Sequence, residues 1–140
     1  MATLNPYLIF NGDCEAAFLF YASVFDKEIP YMGKFGEMSP NAEPKLSEED
    51  KNRIMHVSMP LENGVVLMGS DTNSISDKTI FGNNISISIN TESEQEADKL
   101  FKSLSDAGII KMTIQKTFWN AYFGMLTDKF VINWMVNFDY

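Results

Sequence analysis

The sequence predicts an α+β fold: two tandem βαβββ modules whose eight strands form a partly open barrel with the helices outside. Two internal matches predict it. Glu15-Ala16-Ala17-Phe18-Leu19-Phe20 matches Glu96-Ala97-Asp98-Lys99-Leu100-Phe101 at an offset of 81 residues, and the same offset lays the strand-like Leu4–Phe10 on Ile85–Thr91. Near the end of each half, Val65-Val66-Leu67-Met68 matches Ile132-Asn133-Trp134-Met135 at an offset of 67. Each half therefore runs strand, helix, strand, strand, strand, and the same order twice in one chain is the mark of an internal repeat. A βαβββ unit covers one face of its sheet with its own helix. The other face must curve around a partner sheet or a ligand. The expected organisation is one domain of two modules, about 1–71 and 84–140, joined by a linker at 72–83.

The elements follow from local pattern. Leu4–Phe10 is a short strand, with Pro6 confined to a position where no ladder hydrogen bond is needed. Asn11-Gly12-Asp13 is a turn, with Asp13 placed to cap a helix. From Cys14 to Phe25, apolar residues recur at three and four, as in an amphipathic helix. Glu28–Phe35 reads as a strand. Residues 37–52 hold two prolines and four glutamates, with Ser47 and Asp50 placed to cap a short helical turn. The stretch has two readings, a solvated connection or a lid over a cavity. Ile54–Pro60 and Val65–Ser70 flank Asn63-Gly64, a strong hairpin signal. Alternation sets Ile54, His56 and Ser58 on one face and Met55, Val57 and Met59 on the other. Asn84–Ile89 alternates as a half-buried strand. Thr91–Asp106 is a helix with acids in its first turn, ended by Gly108. Ile109–Lys116 is a strand. Thr117–Asn137 is an aromatic hairpin broken at Thr127-Asp128-Lys129.

Composition narrows the function classes. The chain is 45% hydrophobic and 21% charged with a net charge of −8, and no basic cluster offers a phosphate-backbone partner, so no nucleic acid is expected. No run approaches a membrane span, and the first residues lack the pattern of an export signal. With a single cysteine, Cys14, the cytoplasm is the expected location. The nine methionines are either core filler or the lining of an adaptable apolar cavity.

Longer motifs carry a resemblance. They are Thr117-Phe118-Trp119, Phe123-Gly124-Met125-Leu126-Thr127-Asp128 and Trp134-Met135-Val136-Asn137 at the end of the chain. At its start they are Pro6-Tyr7-Leu8 and Cys14-Glu15-Ala16-Ala17. Between lie Met55-His56, Leu67-Met68 with Ser70-Asp71, and Asn84 with Ser86 and Ser88. Together they span nearly the whole chain, which resembles the PhnB-like branch of the vicinal oxygen chelate superfamily, the glyoxalase and bleomycin-resistance fold. Asn120 and Val131 stand where that family usually has glycine. The resemblance implies the glyoxalase-like architecture, and it implies a homodimer.

Metal-using members of the superfamily carry His and Glu ligands on the first and last strand of each module. Those positions here offer Asn5 or Tyr7, Met68, Asn84 or Ser86, and Met135. None is a carboxylate or imidazole, so no glyoxalase-type metal and no cofactor are expected. Members of the branch have also carried the label 3-demethylubiquinone-9 3-methyltransferase. An enzyme using S-adenosylmethionine normally shows a glycine-rich turn between a strand and a helix of a parallel α/β fold, and Asn11-Gly12-Asp13 supplies one glycine. His56, the single histidine, is either a general base or hydrogen-bond donor facing the cavity, or a structural residue. Cys14, Asp71 and Asp128 have structural readings.

The expected partner is a small apolar or aromatic molecule in a pocket between the modules, lined by Tyr7, Met68, Ser86, Trp119, Phe123, Asn133 and Met135. Trp119 and Phe123 share one side, and Tyr122 takes the other. The expected function is metal-independent small-molecule binding. The alternative is an enzyme acting on a small aromatic or carbonyl substrate through His56.

Overall fold

The computed structural model describes residues 1–37 and 45–140. Among these, the chain divides into two compact units, Met1–Ile80 and Phe81–Tyr140. The eight strands form two four-stranded sheets rather than one closed barrel.

In the first unit the order is β1 (Tyr7–Phe10), α1 (Cys14–Phe25), β2 (Tyr31–Lys34), α2 (Glu48–Asn52), β3 (Ile54–Pro60) and β4 (Val66–Asp71). The sheet order is β1-β4-β3-β2, with β1 parallel to β4 and the other pairs antiparallel. The second unit repeats it: β5 (Ile87–Asn90), α3 (Glu94–Ser105), β6 (Ile109–Lys116), β7 (Ala121–Thr127) and β8 (Asn133–Asp139), in the order β5-β8-β7-β6. The shared topology is what the two sequence offsets imply.

Each helix covers one face of its own sheet. Phe18 of α1 lies so close to β4 that a Cβ at Gly69 would stand 2.6 Å from its ring. Ala17, Phe18 and Tyr21 bury with Phe10, Val57, Met59 and Leu67. In the second unit Phe101 of α3 presses on Gly124, whose Cβ would fall 2.7 Å from that ring. Leu100, Phe101 and Leu104 bury with Leu126, Trp134 and Val136. Burial of this kind contributes about 1.5–3 kcal/mol per large apolar side chain.

Several local expectations are corrected. The first strand begins at Tyr7, after Pro6, and the second at Tyr31. The fifth begins at Ile87, set by its pairing with Trp134, so Ser86 precedes it. Asp13 makes no side-chain cap to α1. Asp71 at the end of β4 takes that role instead: its Oδ1 accepts the N–H groups of Gly12 and Cys14 at 2.9 and 3.0 Å. Its Oδ2 accepts the Ile54 N–H at 2.9 Å. A register shift between Gly33 and Lys34 pairs Lys34 with Ile54, and Ile54 is fully buried while His56 and Ser58 stay half-buried. After α3, Ala107 takes the left-handed conformation at φ 57°. Gly108 is small for another reason, because its Cβ would meet the Thr127 carbonyl oxygen at 2.4 Å.

The Asn63-Gly64 hairpin forms as expected, with both residues at positive φ. Ser47 Oγ caps α2 by accepting the Asp50 N–H. Part of the expected lid, residues 38–44, lies outside the described residues. Much of the stretch read as a linker is tied to the first unit. Thr72 N–H donates to Phe10, Thr79 N–H to the Asn11 side chain, and the Ser74 hydroxyl to Asp50.

Candidate functional site

Strand alternation gives each sheet a second face, turned away from its helix. In the first unit, register sets Tyr7 beside Met68, Met68 beside Ser58, and Ser58 beside Tyr31, one row across all four strands. In the second unit the row is Ser88, Met135, Met125 and Met112. The rows correspond position by position. The offset is 81 from Tyr7 to Ser88 and from Tyr31 to Met112, and 67 from Met68 to Met135 and from Ser58 to Met125. His56 and Phe123 correspond at 67 as well. The strand positions correspond in the two rows and the chemistry differs: two phenols, a hydroxyl and one thioether in the first, three thioethers and a hydroxyl in the second.

The first row contains the densest polar geometry. Tyr7 Oη lies 3.1 Å from His56 Nδ1. The phenol donates where Nδ1 is bare and accepts where Nδ1 carries a proton, so the tautomer of His56 sets the direction of this bond. The Tyr7 and His56 rings are stacked, with centroids 5.7 Å apart, and the Tyr31 ring stands 6.1 Å from His56 on a tilt. Tyr31 folds back along its strand over Gly33, where a Cβ would collide with its hydroxyl at 2.4 Å. Both tyrosines remain exposed, at 44% and 48%. The cluster presents two aromatic faces and one imidazole edge to solvent.

In the second unit, Trp119 lies in the turn before β7, half-exposed and edge-on to Phe123 with centroids 5.9 Å apart. Tyr122 points the other way and donates to Asp98 of α3 at 2.7 Å. Asn133 has the right strand and another job. Its amide nitrogen donates to the carbonyls of Gly82 and Ile85, and its oxygen accepts from the Thr127 hydroxyl. It anchors the segment leading into β5.

The structure thus brings Tyr7, His56 and Met68 to one face of the first sheet and Phe123 and Met135 to one face of the second, with Trp119 against Phe123. Asn133 is held by the chain itself, and Ser86 lies outside the strand. Five row residues escaped the sequence reading as candidates: Tyr31, Ser58, Ser88, Met112 and Met125. The 81-residue offset leads from Tyr7 to Ser88, so carrying it through the first strand would have found that one.

The superfamily's metal can be tested against these rows. On the first and last strand of each unit the rows hold Tyr7, Met68, Ser88 and Met135: a phenol, a hydroxyl and two thioethers. Asn5, the other first-strand candidate, spends its side-chain oxygen on the Val66 N–H at 2.8 Å. A hard or borderline divalent ion needs carboxylate or imidazole donors, and these residues do not fit one. Among the described residues no three His, Cys, Asp or Glu side chains gather. The buried carboxylates serve structure. Asp71 closes the turn before α1. Asp128 takes the N–H groups of Phe130 and Ile132 on Oδ1 and the Trp134 indole on Oδ2. Cys14 is buried, and burial followed by the charge of Asp71 pushes its thiol far up, which disfavours the thiolate. Among the described residues, no helix is long and apolar enough to cross a membrane.

Comparison with known proteins agrees with this architecture. The family model for 3-demethylubiquinone-9 3-methyltransferase matches residues 2–137. Protein YjdN of Escherichia coli (strain K12) is 30% identical over 140 residues, covering 96% of this chain and 93% of that protein. The crystal structure of protein PA1353 from Pseudomonas aeruginosa is 35% identical, with a TM-score of 0.86 over 99% of this chain and 98% of that one. A putative 3-demethylubiquinone-9 3-methyltransferase, PhnB protein, from Bacillus cereus is 27% identical, with a TM-score of 0.77 over 98% and 99%. A glyoxylase/bleomycin resistance protein/dioxygenase domain from Frankia sp. EAN1pec, 12% identical at a TM-score of 0.68 over 100% and 93%, shares the fold alone.

Proposed function

The chain belongs to the 3-demethylubiquinone-9 3-methyltransferase family, in the PhnB-like branch of the vicinal oxygen chelate superfamily, and from that premise we propose that it binds a small apolar or aromatic molecule on the open sheet faces without a divalent metal. One observation carries the reading: between them the two rows present phenols, hydroxyls and thioethers where metal-using relatives of this fold place His and Glu ligands. Flat rings and polarizable sulfur suit a planar apolar ligand. The Tyr7–His56 pair adds one hydrogen-bonding edge to orient it.

The family label implies S-adenosylmethionine, and the residues do not fit that cofactor. The one glycine turn after a parallel strand is closed from inside, because Gly12 and Cys14 already donate to Asp71. Those N–H groups are unavailable to a ligand, and a carboxylate occupies the spot an anionic group would need.

A thermal-shift screen of aromatic and amphiphilic molecules, read with Trp119 fluorescence, tests the proposal. A ligand at about 100 times its Kd adds roughly 2.7 kcal/mol of stability. Binding should weaken in Tyr7→Ala and in Met68→Ala. A stoichiometric divalent ion in the purified protein, or hits indifferent to both substitutions, would overturn it. The second reading is an enzyme acting on an aromatic or carbonyl substrate, favoured by the Tyr7 Oη–His56 Nδ1 bond. It requires turnover that His56→Ala abolishes while ligand binding persists. We further propose a cytoplasmic location and, as the sequence resemblance implies, a homodimer; fractionation and sedimentation at micromolar concentration test these, and a monomer there refutes the dimer.

A further inference from the structure

Met112, Met125 and Met135 stand in direct register on three adjacent strands of the second sheet. We propose that this row of thioethers is a binding site for a soft monovalent cation, of the class of Cu(I) and Ag(I). The inference goes beyond the small-molecule reading and does not depend on it.

The register is built rather than inherited from regular pairing. β6 pairs Ile109 with Thr127 and Ile110 with Leu126, and continuing that ladder would set Lys111 opposite Met125. A register shift between Ile110 and Met112 removes the lysine from that place and sets Met112 there instead. A second shift follows between Met112 and Gln115, so irregular pairing brackets Met112 on both sides. Bulges re-aim side chains in this way beside functional sites. The effect is to replace an ammonium, which would repel a cation, with a third thioether.

Directly opposed residues on antiparallel strands have Cα atoms about 4.5–5.5 Å apart. Long, unbranched side chains from three neighbouring strands can therefore turn their sulfurs toward one point above the middle strand. Thioethers are poor ligands for the hard divalent ions already dismissed and good ones for a soft d10 cation. The row is reachable: Met112 is exposed, and Met125 and Met135 are half-buried. Phe123 is two residues along β7 from Met125, and the Trp119 ring lies against it. Trp119 is thus a local reporter for a heavy ion on the row.

The test is titration of the intact, reduced protein with Ag(I), following Trp119 fluorescence and stoichiometry by mass spectrometry under native conditions. One ion per chain with quenching is expected. Met125→Leu keeps volume and apolarity, and should weaken that binding at least tenfold with an unchanged circular dichroism spectrum. Met112→Leu should weaken it as well, whereas Met55→Leu on β3 of the first unit should leave it intact. The inference fails if Met125→Leu binds Ag(I) as the unaltered chain does. It also fails if the unaltered chain binds no more tightly than a peptide with one methionine.

Discussion

Replacing Val131 by alanine and by glycine, side by side, probes the turn between β7 and β8. Val131 has φ 68°, in the left-handed region, and is 49% exposed. The turn dictates that conformation. Val131 N–H donates to the Asp128 carbonyl at 2.9 Å, and the Phe130 and Ile132 N–H groups converge on Asp128 Oδ1. A β-branched residue is a poor fit there. In an ordinary position alanine is more stable than glycine, by about 0.5–1 kcal/mol within helices and strands. Here the order should invert. Left-handed backbone costs alanine about 1–2 kcal/mol and glycine almost nothing. Glycine's extra freedom in the unfolded chain returns about 0.4–1 kcal/mol of that. The glycine variant should therefore exceed the alanine variant by about 0.5–1 kcal/mol, or roughly 2–3 °C in Tm. Comparing two small residues removes most of the lost valine packing from the difference. Urea denaturation followed by fluorescence measures it. Equal stability, or alanine the more stable, refutes the claim that this backbone is strained and with it the explanation for the missing family glycine.

Other contacts give further tests. Asp71→Ala orphans three N–H groups at a residue only 4% exposed, and should destabilise by roughly 3–5 kcal/mol in urea titration, with Asp71→Asn losing less. Gly124→Ala places a methyl 2.7 Å from the Phe101 ring and 2.9 Å from Ile114 Cα, so a loss of about 1–3 kcal/mol is expected in the same assay. The hydrogen bond to Asp98 holds the Tyr122 phenol up to about 12. Because the folded value lies above the ordinary one, its contribution is full below about pH 10 and disappears as pH rises through about 12. Absorbance titration should show one late tyrosine that Tyr122→Phe removes.

Elements whose period is local were legible. The helix Cys14–Phe25 and the strands Ile54–Pro60 and Ile109–Lys116 have the bounds their patterns predict. What escaped was decided at a distance. Asp13 has the identity of a cap, but Asp71, 58 positions away, reaches the turn from β4 and satisfies its N–H groups. Alternation assigned Ile54 to the face of His56, and a register shift against β2, invisible in one strand's sequence, buried it. Asn133 looked like a ligand-facing amide because its strand neighbours face that way; its bonds to Gly82 and Ile85 are contacts no periodicity encodes. Asn120 and Val131 both take positive φ, a backbone glycine adopts without strain, and nothing in the identity of Val131 announces it.

The distribution of charge explains why an acidic chain offers so little acid chemistry. Three carboxylates are buried among the described residues, Asp50, Asp71 and Asp128. Each is saturated by donors from its own unit: Ser74 on Asp50, backbone N–H groups on Asp71, and backbone and indole on Asp128. The Ser74 side-chain bond, the largest influence, helps hold the Asp50 carboxyl below its ordinary range, as expected of an acid committed to accepting hydrogen bonds. Taking such a group as a base or metal ligand would break a turn or a cap, at about 1–3 kcal/mol for each orphaned donor. The rows left for a ligand are then Tyr7, Met68, Ser58 and Tyr31 in one unit and Ser88, Met135, Met125 and Met112 in the other. Repeated topology with diverged rows means that the two faces present different chemistry. The first has a hydrogen-bonding edge at His56, and the second has sulfur at the same strand positions as the first row's Ser58 and Tyr31. Binding tests on variants of one row alone therefore distinguish an organic ligand, which needs the phenol and imidazole, from a soft cation, which needs the thioethers.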